Sequence, residues 1–152
     1  MRVVLGVLVG YLLTGLLVSG MLVGMFLFFG TRNAFVPDSW EASPLWCAMS
    51  LFVGLIAAVI GGWTCRTIGG SKLSTQAMCA LILVFGIFAL IATLGTTKST
   101  EIRPENVDMQ AAMSKAITPL WAALSNIVIG VAGTLYGGRI VEKHQKRKET
   151  LA

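Results

Sequence analysis

Residues able to do chemistry are few in this 152-residue chain, and they do not gather in sequence. The single histidine, His144, stands among Lys143, Lys146, Arg147 and Lys148. A lone imidazole in a basic run reads as a solvated side chain, and it leaves a buried histidine-ligated haem without a ligand. Cys47, Cys65 and Cys79 lack the short spacings of zinc or iron–sulfur sites. They are expected to be free thiols, with Cys65 and Cys79 near one another; acylation of Cys65 is the lesser reading. Ser50, Ser74 and Ser125 have no histidine close by in sequence to act as a base. The turn Gly69-Gly70-Ser71-Lys72 is glycine-rich, and with Arg66 it would suit a lipid phosphate, although a plain connection is the stronger reading. This inventory predicts no catalytic residue, no cofactor and no metal ligand. It points away from an enzyme.

Composition explains the scarcity. Hydrophobic residues make up 55% of the chain and charged residues 12%, with a mean hydropathy of +0.79. A soluble domain carries about 25% charged residues, and a disordered one carries few apolar residues, so both classes are excluded. The chain is read as an all-α polytopic membrane protein, a single transmembrane domain over 1–152. Its four apolar runs lie at about 3–29, 45–65, 77–94 and 120–138. Each approaches or exceeds the ~20 residues that cross a hydrocarbon core as a helix. The uniform apolarity excludes barrel strands, which alternate. The first run is too long for a cleaved signal and has no A-x-A-like site after it. None of the runs contains Asp, Glu, Lys, Arg or His. That counts against an ion-coupled transporter and leaves room for a passive pore.

Charge predicts orientation. With both termini cytoplasmic, the inner side holds Arg2, Arg66, Lys72, Arg139, Lys143, Lys146, Arg147 and Lys148 against Glu142 and Glu149. The outer side holds Arg32, Lys98, Arg103 and Lys115 against Asp38, Glu41, Glu101, Glu105 and Asp108. This satisfies the positive-inside rule, so the net +5 is a membrane signal and not a nucleic-acid footprint. The basic tail over 139–152 would meet anionic lipid through Lys143, Lys146, Arg147 and Lys148, and its last few residues are expected to be disordered.

The chain also reads as repeated. Ser43-Pro44-Leu45-Trp46 opens the second run and Thr118-Pro119-Leu120-Trp121 the fourth. In both, a hydroxyl cap, a proline at the first helical position and an interfacial tryptophan (Trp46, Trp121) are expected. Ser50, Gly54, Ala57 and Gly61 then align with Asn126, Gly130, Gly133 and Gly137. Both sets keep one helix face of small residues, suited to close helix approach in lipid. The two helices are expected to end alike, at Gly61-Gly62-Trp63 and Gly137-Gly138-Arg139. Asn126 is expected to bond Ser50 across the bundle. In the first run, Gly6, Gly10, Gly20 and Gly24 form two G-x-x-x-G pairs, expected at the bundle centre or, as the alternative, against another subunit. The predicted architecture is two parallel-repeat helical hairpins about an axis along the membrane normal. Between the last two runs, Arg103-Pro104-Glu105 is expected to begin a short helix, with Met109, Met113 and Ile117 on its apolar face.

The length, the basic tail and the sequences Gly61-Gly62-Trp63 and Gly137-Gly138-Arg139 resemble a large group of small bacterial inner-membrane proteins with four helices. The resemblance implies the fold and an inner-membrane location, and it transfers no functional residue. The expected function is a non-catalytic accessory or structural subunit of a larger membrane assembly, whose partners are the bilayer and other membrane subunits. The alternative is a small homo-oligomeric transporter or passive channel. A lipid-acting enzyme using Arg66 and Lys72 is a third, weaker reading.

Overall fold

The structure, a computed structural model, describes residues 1–95, 102–104 and 107–151, and for 145, 146 and 148–151 it describes the backbone only. The protein is all-α: α1 (Arg2–Ala34), α2 (Pro44–Gly69), α3 (Lys72–Gly95), α4 (Met109–Lys115) and α5 (Leu120–Leu151). The described residues contain no β-strand, only two isolated bridges, Phe35 with Ala42 and Glu41 with Ile117. Four of the helices are long and apolar enough to cross a membrane. At ~1.5 Å rise per residue, even the 24-residue α3 is about 36 Å long.

Local chemistry sets the helix ends. Ser43 caps α2 by accepting a hydrogen bond from the Trp46 N–H at 3.1 Å, and Pro44 follows in the first turn. Gly70, at φ +67°, ends α2 in the left-handed conformation that spares glycine the usual steric cost. Its N–H donates to the Arg66 carbonyl at 2.9 Å. Gly30, at φ +68°, kinks α1 one residue after the apolar run finishes at Phe29.

Four expectations about local structure are corrected. Neither α2 nor α5 ends at its glycine pair: α2 runs on to Gly69 and α5 to Leu151, so the pairs are mid-helix contact points. The final segment is therefore helical to Leu151 and not a disordered end. Arg103 and Pro104 are not helical, and Glu105 lies outside the described residues. The short helix instead starts after Asp108, whose carboxylate accepts from the Ala111 N–H at 2.7 Å. Thr118 does not cap α5: the Pro119 carbonyl takes the first helical bonds, from Ala122 and Ala123, and among the described residues no cap bond reaches the Thr118 hydroxyl. The two openings look alike in sequence, but only Ser43 performs the capping chemistry.

The most extensive contacts join α2 to α5 and α1 to α2, followed by α3 to α5. Val3 of α1, the α2–α3 turn and Glu142 of α5 share one end of the bundle, which we call the turn end. The other is the capped end. There the Ala42 N–H donates to the Ile117 carbonyl, the Ile117 N–H to Trp40 and the Ser43 N–H to Ala34, all at 2.9–3.0 Å. The buried rings of Phe35 and Trp40 meet edge to face. The guanidinium of Arg103 lies over Phe35 and the ammonium of Lys115 over Trp40.

Candidate functional site

The bundle interior is made of small and weakly polar side chains. Ala57, Cys65, Ser74, Met78 and Thr134 are completely buried, while Leu12, Leu16, Phe28 and Phe88 point outward. Where surrounding lipid is as apolar as leucine, helices gain from close backbone approach and not from burying large side chains.

Glycines set those approaches. A Cβ at Gly6 would strike the Cys65 carbonyl and the Gly69 N–H of α2, each at 2.7 Å. One at Gly10 would strike Cys65 and the Gly61 carbonyl at 2.8 Å. Gly61 in turn faces Gly10 and Thr14 of α1 and Met78 of α3. On α5, Gly133 faces Leu55 and Ala58, and Gly137 lies against the backbone of Val59 and Trp63. Gly130 instead faces Ile82 of α3, and Gly54 meets only the Asn126 Oδ1. The stripe 126, 130, 133 and 137 therefore serves two neighbours. The paired positions Gly61 and Gly137 also face different helices.

Gly20 and Gly24 are not drawn into the bundle. A Cβ at either would meet nothing within 4 Å. The closest α2–α5 approach includes a residue outside the predicted face: Gly62 lies against the backbone of Thr134. Gly138, which lies against Thr75, is a second such contact. The doubled glycines at 61–62 and 137–138 were the available signal, since adjacent glycines clear space toward two neighbours at once.

Asn126 does not bond Ser50. The Ser50 hydroxyl donates to the carbonyls of Trp46 at 2.6 Å and Cys47 at 3.0 Å on its own helix. Among the described residues no hydrogen bond reaches the Asn126 carboxamide. Instead it borders two cavities. The first, about 280 Å³, lies under the cap between α1, α2, α4 and α5, lined by Phe26, Phe35, Trp46, Leu51, Met109 and Met113, with Ser50 and Thr118 among its polar groups. The second, about 260 Å³, runs between α3 and α5 along Ile82, Gly86, Leu90, Thr93 and Ile127. Thr118 and Asn126 line both.

The matched tryptophans diverge. Trp46 is half-buried, edge-on to Phe26, whereas Trp121 faces outward. Cys47, Cys65 and Cys79 are free and buried. The Cys65 thiol donates to the Ser74 carbonyl at 3.3 Å. His144, Lys143 and Arg147 are exposed on α5, and the side chains of Lys146 and Lys148 lie outside the described residues. Among the described residues no group of three His, Cys, Asp or Glu gathers as a metal site.

At the turn end, Lys72 pairs with Glu142 at 2.9 Å. Arg66, missed as a buried group, is only 7% exposed, and its Nη1 has no hydrogen-bond partner among the described residues. The neighbouring Ser71 hydroxyl is likewise buried and unpartnered. No protein family, curated protein or solved structure matches the chain.

Proposed function

We propose that this protein is a non-catalytic integral membrane protein that serves as an accessory or structural subunit, docking partner helices on α1. The unused glycines carry the reading. Leu12, Leu16, Gly20, Gly24 and Phe28 form one ridge at spacing four, and its three large members are 68%, 72% and 83% exposed. Gly20 and Gly24 cut a notch into that ridge that nothing in the chain fills. Elsewhere in the bundle, Gly6, Gly10, Gly62 and Gly137 place another helix backbone directly against the missing Cβ. A second transmembrane helix crossing at Gly20 and Gly24 would use the same geometry.

The membrane assignment is supported by the four long apolar helices and by an interior of small residues beneath a leucine- and phenylalanine-rich exterior. In our reading the turn end, with Arg2, Arg66, Lys72, Arg139, Lys143 and Arg147, is cytoplasmic, and the membrane is a bacterial inner membrane. Lys143 and Arg147 then meet anionic lipid. The packing of α1 on α2 and of α3 on α5, about a central α2–α5 contact, supports two hairpins of the same topology.

The test is purification from native membranes in mild detergent, with mass spectrometry of what remains bound. A stoichiometric partner set that disappears in Gly20→Leu/Gly24→Leu, while the monomer stays helical, is the expected result. Unchanged partners in that variant would overturn the docking face. The two cavities meeting at Asn126 favour a second reading, a passive channel or transporter. It requires solute flux in liposomes by a homo-oligomer, and flux that survives Asn126→Leu would count against it.

A further inference from the structure

We propose that Arg66, Ser71 and the first turn of α3 form a binding site for a phosphate-type oxyanion at the turn end of the bundle. The cation comes first in the argument. Arg66 is nine-tenths buried and, among the described residues, takes part in no ion pair and keeps Nη1 without an acceptor. A guanidinium is always charged. Enclosing it without a counter-charge is strongly unfavourable, and removing the partner of a buried ion is among the most destabilising changes known. The carboxylate of the adjoining α5 turn, Glu142, is engaged by Lys72.

Its surroundings follow from the contacts of the neighbouring turns. Gly62, one turn before Arg66 on the same face, lies against Thr134. Gly138, one turn after Thr134, lies against Thr75 of α3. Arg66 therefore sits where α2, α3 and α5 converge, level with the start of α3. Ser71 stands immediately before that helix, in the position from which a hydroxyl normally caps. Its Oγ is buried and, among the described residues, accepts from no backbone N–H and donates to no acceptor. The first N–H groups of α3 and its dipole favour an anion. The turn side of this junction is uncrowded: Gly70 is exposed, and a Cβ there would meet nothing within 4 Å.

An oxyanion with several acceptor oxygens, bound at this junction, would give each of these donors an acceptor. It accepts from Arg66 in the charge-assisted geometry that guanidinium offers phosphate, accepts from the Ser71 hydroxyl, and sits at the α3 N-terminus. Lys72 adds positive charge at the rim and offsets Glu142. The phosphodiester of a bilayer lipid and free inorganic phosphate present the same chemistry. This site does not depend on the partner-docking reading of α1.

The test uses the full chain in detergent micelles and measures affinity by calorimetry and native mass spectrometry. The probes are short-chain phosphatidylglycerol, the matching diacylglycerol and inorganic phosphate. We expect wild type to prefer phosphatidylglycerol over diacylglycerol. Arg66→Gln should bind it about thirtyfold or more weakly, as expected when one member of a buried charge pair is lost. Ser71→Ala, a smaller change that keeps the site testable if Arg66→Gln does not fold, should weaken it about fivefold. Arg32→Gln, exposed at the opposite, capped end of the bundle, should bind as wild type. Displacement of the lipid by millimolar phosphate would make the free anion the ligand, and retention would make it the headgroup. Equal binding of phosphatidylglycerol and diacylglycerol, or wild-type affinity in both site variants, overturns the proposal.

Discussion

Replacing Gly137 by alanine should destabilise the bundle, whereas the same replacement at Gly20 should not. At Gly137 the added methyl would fall on the Val59 carbonyl oxygen, 2.8 Å from the Trp63 nitrogen and 3.0 Å from the Val59 carbonyl carbon. All three are backbone atoms of α2 and cannot rotate aside. Normal contact is about 3.5–4.0 Å, so the two helices must part by roughly 1 Å, and a gap of that size forfeits up to half of each surrounding dispersion contact. Gly62 against Thr134 and Gly133 against Ala58 lie on the same interface and loosen with it. Overpacking of this kind costs about 1–3 kcal/mol. At Gly20 nothing is struck, and only the helix preference for alanine remains, a gain of about 0.5–1 kcal/mol. Reversible unfolding in mixed micelles, followed by helical circular dichroism, separates the two variants. Equal stability of Gly137→Ala and Gly20→Ala would refute the claim that backbone approach at the α2–α5 seam holds the bundle together.

Three further outcomes are expected. Ser43→Ala should cost about 1 kcal/mol through the lost cap, while Thr118→Ala should be nearly neutral; equal losses in the same unfolding assay would mean that both openings are capped. Thr134→Val should be neutral or stabilising by up to about 1 kcal/mol, because the buried hydroxyl has no partner to lose; a clear loss of stability would show that the hydroxyl is bonded. Arg103→Gln removes the bond from its Nε to the Ser39 carbonyl and the contact with Phe35. It should cost about 1–2 kcal/mol and speed amide exchange over 34–43, with unchanged exchange as the contrary result.

Hydropathy made the long helices legible but blurred their ends. The third apolar run starts at about 77, yet α3 begins at Lys72. Its first turns carry Ser74 and Thr75, which are polar in composition and buried in place. A run of apolar residues cannot register polar groups that face inward. The fourth run stops at 138 because charge begins at Arg139, but a helix needs no apolar sequence to continue, and α5 runs on to Leu151. Small-residue spacing identified helix faces without saying what each face meets. Gly6 and Gly10 pack inside the chain, and Gly20 and Gly24 on the same helix meet open space. The cap depends on backbone bonds between segments about 75 residues apart, Ala42 to Ile117, and no local pattern encodes such pairing. Arg66 was legible as a charge; its burial follows only from the meeting of three helices.

The cap also dictates an order of assembly. Its seam joins the α1–α2 connection to the segment that leads into the last long helix, through Ala42, Ile117 and Trp40. A nascent chain that has delivered only its first two helices therefore exposes the Ala42 N–H and the Trp40 carbonyl with nothing to pair them. Trp40 and Phe35 then also lack the cations that cover their rings, since both cations come from residues beyond 100. Closure waits for the C-terminal third of the chain to be synthesised. The seam thus acts as a latch that only a chain translated past Ile117 can fasten, and chains truncated before Arg103 should present an unlatched end to proteolysis.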